Sequence, residues 1–197
     1  PRPRPLLRLR QGEGVDVMKD IFDNPIPSRA KGGAGFGHES PHQGNTNVWL
    51  TPPHIIKALG PFDLDPCAPP DGERPWDTAT HHYSERQDGL IQPWFGRVWL
   101  NPPYGPNTGR WLARGAQHGN TIALVFARTE TAAFFAEVWP KADGMLFIKG
   151  RVKFYDSTGM VGGTAGSPSC LIGYGAEAAK RIENSGIEGK YIVLSKG

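Results

Sequence analysis

A chain of 197 residues, 38% hydrophobic and 21% charged, is a globular domain of ordinary size, and no stretch reaches the roughly 18 apolar residues of a membrane helix. Its 26 Gly and 19 Pro, about 23% of the chain against a usual share near 12%, exclude a coiled coil or a plain helical bundle. The formal charge is +3, and Arg2, Arg4, Arg8 and Arg10 supply it, so nucleic-acid binding has to come from charge gathered on one face.

Residues 1–14 read as disordered, and Val15, Val17, Met18, Ile21 and Phe22 recur at the spacing of a short helix over 15–22. From Asn24 to Gly44 the chain is Pro, Gly, Ser and His without periodicity, which reads as a linker. The GGAGFG within it has no strand before it and no Gly-Lys-Ser/Thr after it, so it does not read as a phosphate loop. Residues 1–44 are thus expected to be a basic, flexible extension, and 45–197 the folded domain. The opening residues lack the apolar core of a secretory signal. Cys67 and Cys170, without any CxxC, make no disulfide framework. A reducing cytoplasm is the expected compartment.

Within the domain, Pro52 and Pro53 open a helical stretch, HIIKALG, that stops at Gly60-Pro61. FDLD (62–65) reads as a strand, 66–96 as irregular, and RVWL (97–100) as a strand running into NPPY. A helix over 107–118 and the apolar run TIALVFA (121–127) follow, the latter suited to a strand covered on both faces. ETAAFFAEVW (130–139) reads as a helix, GMLFI (144–148) as a strand and RVKFYD (151–156) as an alternating strand. SCLIGY (169–174), a helix over 176–184 and YIVL (191–194) complete the pattern. This alternation predicts a three-layer α/β sheet, in which ligands sit beyond the carboxyl ends of the strands.

The sharpest motif, Asn101-Pro102-Pro103-Tyr104, stands at such an end. Asn101 offers a side-chain acceptor, Pro102 and Pro103 offer carbonyls with no competing N–H, and Tyr104 offers a flat face. Two fixed acceptors beside a planar NH₂ group draw its lone pair out of conjugation and make it a nucleophile. The plain alternative is a rigid Asn-Pro turn ending a strand.

NPPY resembles motif IV of the S-adenosylmethionine-dependent amino-methyltransferases, and Trp49 to Tyr174 resembles the phage-type DNA N6-adenine methyltransferases. WLTPP (49–53), FDLDPCA (62–68) and QDGLIQPW (87–94) carry the likeness in the same order as in that family, and ARTET (127–131), GRVKF (150–154) and SPSCLIGY (167–174) extend it. The resemblance implies a Rossmann-like methyltransferase sheet, mostly parallel with an antiparallel edge. It also implies S-adenosylmethionine as cofactor, double-stranded DNA as partner, no metal, and a phage or prophage gene. Asn101, Pro102, Pro103 and Tyr104 would be catalytic. Trp49, Thr51, Pro52, Asp65, Pro66, Cys67, Asp88, Leu90 and Asn101 would line the cofactor site.

Two family features depart: DPCAPPDG replaces the glycine-rich loop, and the acid that ends a second strand and holds the cofactor ribose cannot be placed between Pro66 and Gly96, where Asp71, Asp77 and Glu85 are the candidates. Arg110, Arg114 and Arg128, with the cluster Lys149, Arg151 and Lys153, read either as a solvated face or as phosphate contacts. Phe154 either stacks on an extruded base or points into the core. His81-His82 lack partners at metal-ligand spacing. The alternative acceptors for the same motif are RNA adenine and protein glutamine, which also present a planar NH₂; a catalytically idle DNA-binding module is the reading from another class.

Overall fold

A computed structural model describes residues 49–194. The readings placed on residues 1–48, including the 15–22 helix, the linker, GGAGFG and the domain start near Asn45, lie outside the described residues.

The described chain runs α1 (Pro53–Leu59), β1 (Leu64–Asp65), β2 (His81–His82), a 3₁₀ turn (Glu85–Gln87), β3 (Val98–Leu100), α2 (Thr108–His118) and β4 (Thr121–Phe126). It continues with α3 (Ala132–Glu137), β5 (Gly144–Ile148), β6 (Lys153–Tyr155), β7 (Val161–Thr164), β8 (Ser169–Tyr174), α4 (Ala176–Glu183) and β9 (Gly189–Val193). Seven strands form one sheet in the order β2-β1-β3-β4-β8-β5-β9. β2, β1, β3 and β4 are parallel neighbours, and β8 inserts antiparallel between β4 and β5, which leaves β5 aligned with β4; β9 closes the far edge antiparallel to β5. The carboxyl ends of β1, β3, β4 and β5 therefore share one edge.

Period-2 alternation in the buried strands builds a core on each face. Ile122, Leu124, Leu146 and Leu171 meet Ile55 and Leu59 of α1 and Ile182 of α4 on one side. Ala123, Val125, Met145 and Ile172 meet Trp111 and Leu112 of α2 and Phe134 of α3 on the other. The result is the expected three layers. α2 stops at Gly119, whose left-handed φ of 75° would strain any side chain.

Two expectations change. The segment 66–96 is not wholly irregular: β2 extends the sheet, with His81 N–H donating to the Asp63 carbonyl (3.0 Å) and Tyr83 N–H to that of Asp65 (2.9 Å). A two-residue strand of histidines carries no hydrophobic signal, so only its ladder reveals it. The RVKFYD strand is shorter than read and leaves the main sheet: β6 pairs with β7, a Gly-Gly strand that periodicity does not announce, and bridges to Leu50 through Tyr155. The sheet has the expected antiparallel edge, where β8 pairs antiparallel with β4 and β5 and β9 with β5. No helix among the described residues is long and apolar enough to cross a membrane.

Candidate active site

β3 is buried along its length, and Asn101 follows it directly at the carboxyl edge. Pro102 and Pro103 have no N–H to continue a ladder, so the chain turns away and leaves the Asn101 side chain at the strand end. Its amide nitrogen donates to the Trp49 carbonyl at 3.1 Å. With the donor half of the amide held there, Oδ1 points the other way as an acceptor. The Tyr104 hydroxyl approaches Oδ1 at a long 3.4 Å. The Pro103 carbonyl is taken by the Thr108 hydroxyl at 3.0 Å, whereas the buried Pro102 carbonyl meets no donor among the described residues.

The Tyr104 ring lies flat on Phe126, the last residue of β4, with centroids 4.1 Å apart and planes within 6°. Phe126 thus backs one face of Tyr104. Burial pushes the Tyr104 phenol well above its ordinary range, so it stays protonated.

The turn after β1 locks onto this elbow. Asp65 is buried, and Oδ1 accepts the Cys67 N–H at 3.1 Å while Oδ2 accepts the Thr78 hydroxyl at 2.5 Å. Burial lifts its carboxyl to about 6, against the pull of the Thr78 hydroxyl toward the charged form. Cys67 in turn donates its S–H to the Asn101 carbonyl at 3.2 Å. Burial, and the charge of Asp65 beside it, push the thiol up, so it acts as a hydrogen-bond donor and not as a nucleophile.

The 88–90 loop presses on the same turn. A Cβ on Gly89 would stand 1.8 Å from the buried Pro66's carbonyl oxygen, so only glycine allows this approach. Asp88, at φ 50°, is the one non-glycine residue with positive φ among the described residues, a conformation Asp tolerates. Its Oδ1 accepts the Leu90 N–H at 3.2 Å, its side chain is exposed, and Leu90 is half-buried against the α2 and α3 core. Trp94 fixes the loop by donating to the Gly89 carbonyl at 2.7 Å.

At the start of α1, Thr51 and Pro52 are buried, and the Pro52 carbonyl accepts the Ile55 N–H at 3.0 Å. The Thr51 hydroxyl is buried without a hydrogen-bond partner among the described residues. Such an orphan costs about 1–3 kcal/mol unless a ligand or water meets it. Together with the Pro102 carbonyl, it leaves polar atoms without a protein partner among the described residues, and this donor and acceptor set fits a polar cofactor.

The structure thus gathers Trp49, Asp65, Cys67, Asn101 and Tyr104 into one bonded cluster and sets Asp88–Leu90 against Pro66. The proposed DNA-facing residues divide. Arg110 and Arg128 are exposed, the first on α2 and the second just beyond β4, and Arg151 and Lys153 are exposed around β6. Arg114 is committed elsewhere: it lies over the Trp94 ring at 5.7 Å and donates to the Gln92 carbonyl. Phe154 is corrected. It is 3% exposed and packs in the core beneath α1, because alternation along β6 turns it inward between the outward Lys153 and Tyr155, and it offers no face to a base.

Sequence reasoning missed Thr78, Gly89 and Phe126. Gly89 had a usable signal, a glycine beside an acidic residue in a loop; the other two act through contacts across strands that no local pattern encodes. Among the described residues, no group of three or more His, Cys, Asp or Glu side chains is placed to hold a metal ion.

Comparisons with known proteins return no match among curated proteins or solved structures. The family model described as DNA N-6-adenine-methyltransferase (Dam) matches residues 40–174, from before the Trp49 segment through the end of β8, and the chain belongs to that family.

Proposed function

We propose that the chain transfers a methyl group from S-adenosylmethionine to N6 of adenine in DNA, with Asn101, Pro102 and Tyr104 at the reacting base. One observation carries this reading. The Asn101 amide nitrogen is held by the Trp49 carbonyl, which leaves Oδ1 with only the long Tyr104 contact, and the carbonyl of Pro102, next in the chain, meets no donor among the described residues.

Two such acceptors each take one N–H of the adenine amine. The nitrogen lone pair then leaves conjugation with the ring and attacks the methyl carbon as the carbon–sulfur bond breaks; the methylated N6, now cationic, stays hydrogen-bonded to the acceptors and sheds one proton to solvent. The base leaves the helical stack first, since a paired N6 is out of reach. With Phe126 behind it, Tyr104 offers its remaining face to the extruded ring, a contact of about 1–3 kcal/mol. When bound, S-adenosylmethionine supplies an electrophilic methyl group on a sulfonium and departs as the neutral thioether.

Trp49, Thr51, Pro52, Pro66, Cys67, Asp88 and Leu90 would hold that cofactor, and Asp65 would stiffen the wall from behind. The open Thr51 hydroxyl and the exposed Asp88 carboxylate are the polar contacts available to it. Neither Cys67 nor Tyr104 ionises near neutrality, so the acceleration comes from placement and electrostatics. Arg110, Arg128, Arg151 and Lys153 would contact phosphates. Residues 45–197 would form the catalytic domain.

Incubation of the protein and labelled S-adenosylmethionine with unmethylated DNA, then nucleoside analysis and methylation-aware sequencing, tests the reading. Label in N6-methyladenine is expected; a cofactor-bound protein that labels only RNA or protein overturns it.

A further inference from the structure

A second feature stands beside the elbow. A cavity of about 450 Å³ opens between the start of α1, the β5–β6 connection and the approach to β9. Pro52, His54, Lys149, Arg151, Lys153 and Glu188 are among its walls. Three cations within five residues and a single carboxylate line it. Lys149 and Glu188 pair at 3.0 Å with both side chains about three-quarters exposed, so the pair is weak and readily exchanged. Arg151 has only a 3.5 Å contact to the Ala165 carbonyl. Gly150, between two of the cations, is at φ 80° with open space around it, so the connection bends without a side chain to block the cavity mouth.

Continuity with the elbow decides what such a cavity takes. β6 begins at Lys153, and two residues on, Tyr155 exchanges backbone hydrogen bonds with Leu50 at 2.8 and 3.0 Å. Leu50 follows Trp49, whose carbonyl orients Asn101. Two strand residues and one strand spacing make a path of about 11 Å from Lys153 to Leu50, and the step to Trp49 and its bond to Asn101 complete the route to the elbow. With an axial rise of about 3.4 Å per nucleotide, that route spans a few nucleotides of a DNA strand.

We infer that this groove takes backbone phosphates of the DNA duplex a few nucleotides from the target adenine, through Lys149, Arg151 and Lys153, with Glu188 as the counter-charge that DNA displaces. The inference rests on the DNA reading above and adds the surface that performs it. Its three cations suit anionic oxygens, so the groove is expected to contribute affinity more than sequence preference.

The test is equilibrium binding of an adenine-containing duplex by fluorescence anisotropy across a salt series. The wild type is compared with K149Q/R151Q/K153Q, with Glu188→Gln, and with Lys57→Gln at the opposite end of α1. Losing three phosphate contacts is expected to weaken binding on the order of a hundredfold near 0.1 M salt and to make the slope of log K against log salt shallower by about 2–3. Glu188→Gln is expected to tighten binding several-fold, Lys57→Gln to change nothing, and cofactor affinity by calorimetry to stay constant throughout. The three single variants repeat the measurement if the triple variant melts early. Wild-type affinity and slope in the triple variant overturn the groove, as does a wild type that binds no duplex. Production of N6-methyladenine by the wild type, followed in parallel, judges the methylation reading separately, because binding is read whether or not methyl transfer occurs.

Discussion

Asn101→Ala separates chemistry from architecture. Truncation removes Oδ1, one of the two acceptors proposed for the adenine amine, and the amide donor that meets Trp49 at 3.1 Å. The structural loss is a single half-buried hydrogen bond, about 1 kcal/mol, which lowers Tm by about 2–4 °C in a chain of this size. The catalytic loss is larger. Removing one pre-placed hydrogen-bonding partner of a transition state costs about 2.7–4 kcal/mol, a fall in kcat of roughly 10²–10³. Single-turnover formation of N6-methyladenine with saturating DNA and cofactor reads this loss, and calorimetry with S-adenosylmethionine alone is expected to show nearly unchanged affinity. Asn101→Asp sharpens the test. It keeps acceptor oxygens but sets one against the Trp49 carbonyl, so the side chain swings away and the rate is expected to fall as far as in Asn101→Ala. An Asn101→Ala protein that binds cofactor and methylates at near the wild-type rate refutes the assigned chemistry; an active Asn101→Asp protein refutes the orienting role of Trp49.

Three further outcomes follow from the same geometry. Burial raises the Asp65 carboxyl from 3.8 to about 6, so the fold holds that proton more tightly than the unfolded chain does. The stabilisation, on the order of 3 kcal/mol, is complete below the ordinary carboxylate range and fades as pH rises through 6; urea unfolding at pH 4 and pH 7 is expected to differ accordingly, and Asp65→Asn to lose this part of the difference. Gly89→Ala forces the 88–90 loop off the Pro66 carbonyl, and overpacking of about 1–3 kcal/mol predicts a roughly ten- to hundredfold weaker cofactor affinity by calorimetry, with Asn101 untouched. Phe126→Leu removes the stacked partner of Tyr104, about 0.5–1.5 kcal/mol, and is expected to lower kcat several-fold while cofactor affinity holds.

Residue chemistry that is rare and local is legible in the sequence. Two prolines after an apolar strand have few structural explanations, and the NPPY elbow stands where the strand pattern put it. TIALVF, GMLFI and SCLIGY formed strands because long apolar runs between turn signals leave little else to form. What escaped depends on register. The Tyr104–Phe126 stack exists because β3 and β4 pair Leu100 with Ala123, which carries β4 on past the end of β3 to Phe126 beside the elbow. The bond from Cys67 to the Asn101 carbonyl spans 34 residues, and Thr78 reaches Asp65 from an edge segment with no periodicity. Phe154 is a different case. Period-2 alternation in RVKFYD already placed Lys153 and Phe154 on opposite sides, so both could not face the same DNA.

The polar atoms around the elbow sort into two sets, and the division explains why a site of this kind needs so rigid a frame. Asp65, the Cys67 thiol, the Asn101 amide nitrogen and the Pro103 carbonyl are all engaged within the protein. The Pro102 carbonyl and the Thr51 hydroxyl are not, and Asn101 Oδ1 has only a long contact. An amine whose lone pair must leave conjugation gains nothing from a nearby base, because the proton departs only once the new bond has formed. It gains from acceptors that do not move. Committing the Asn101 amide nitrogen, the Cys67 thiol and the Thr78 hydroxyl to the frame keeps those acceptors in place before the substrate arrives.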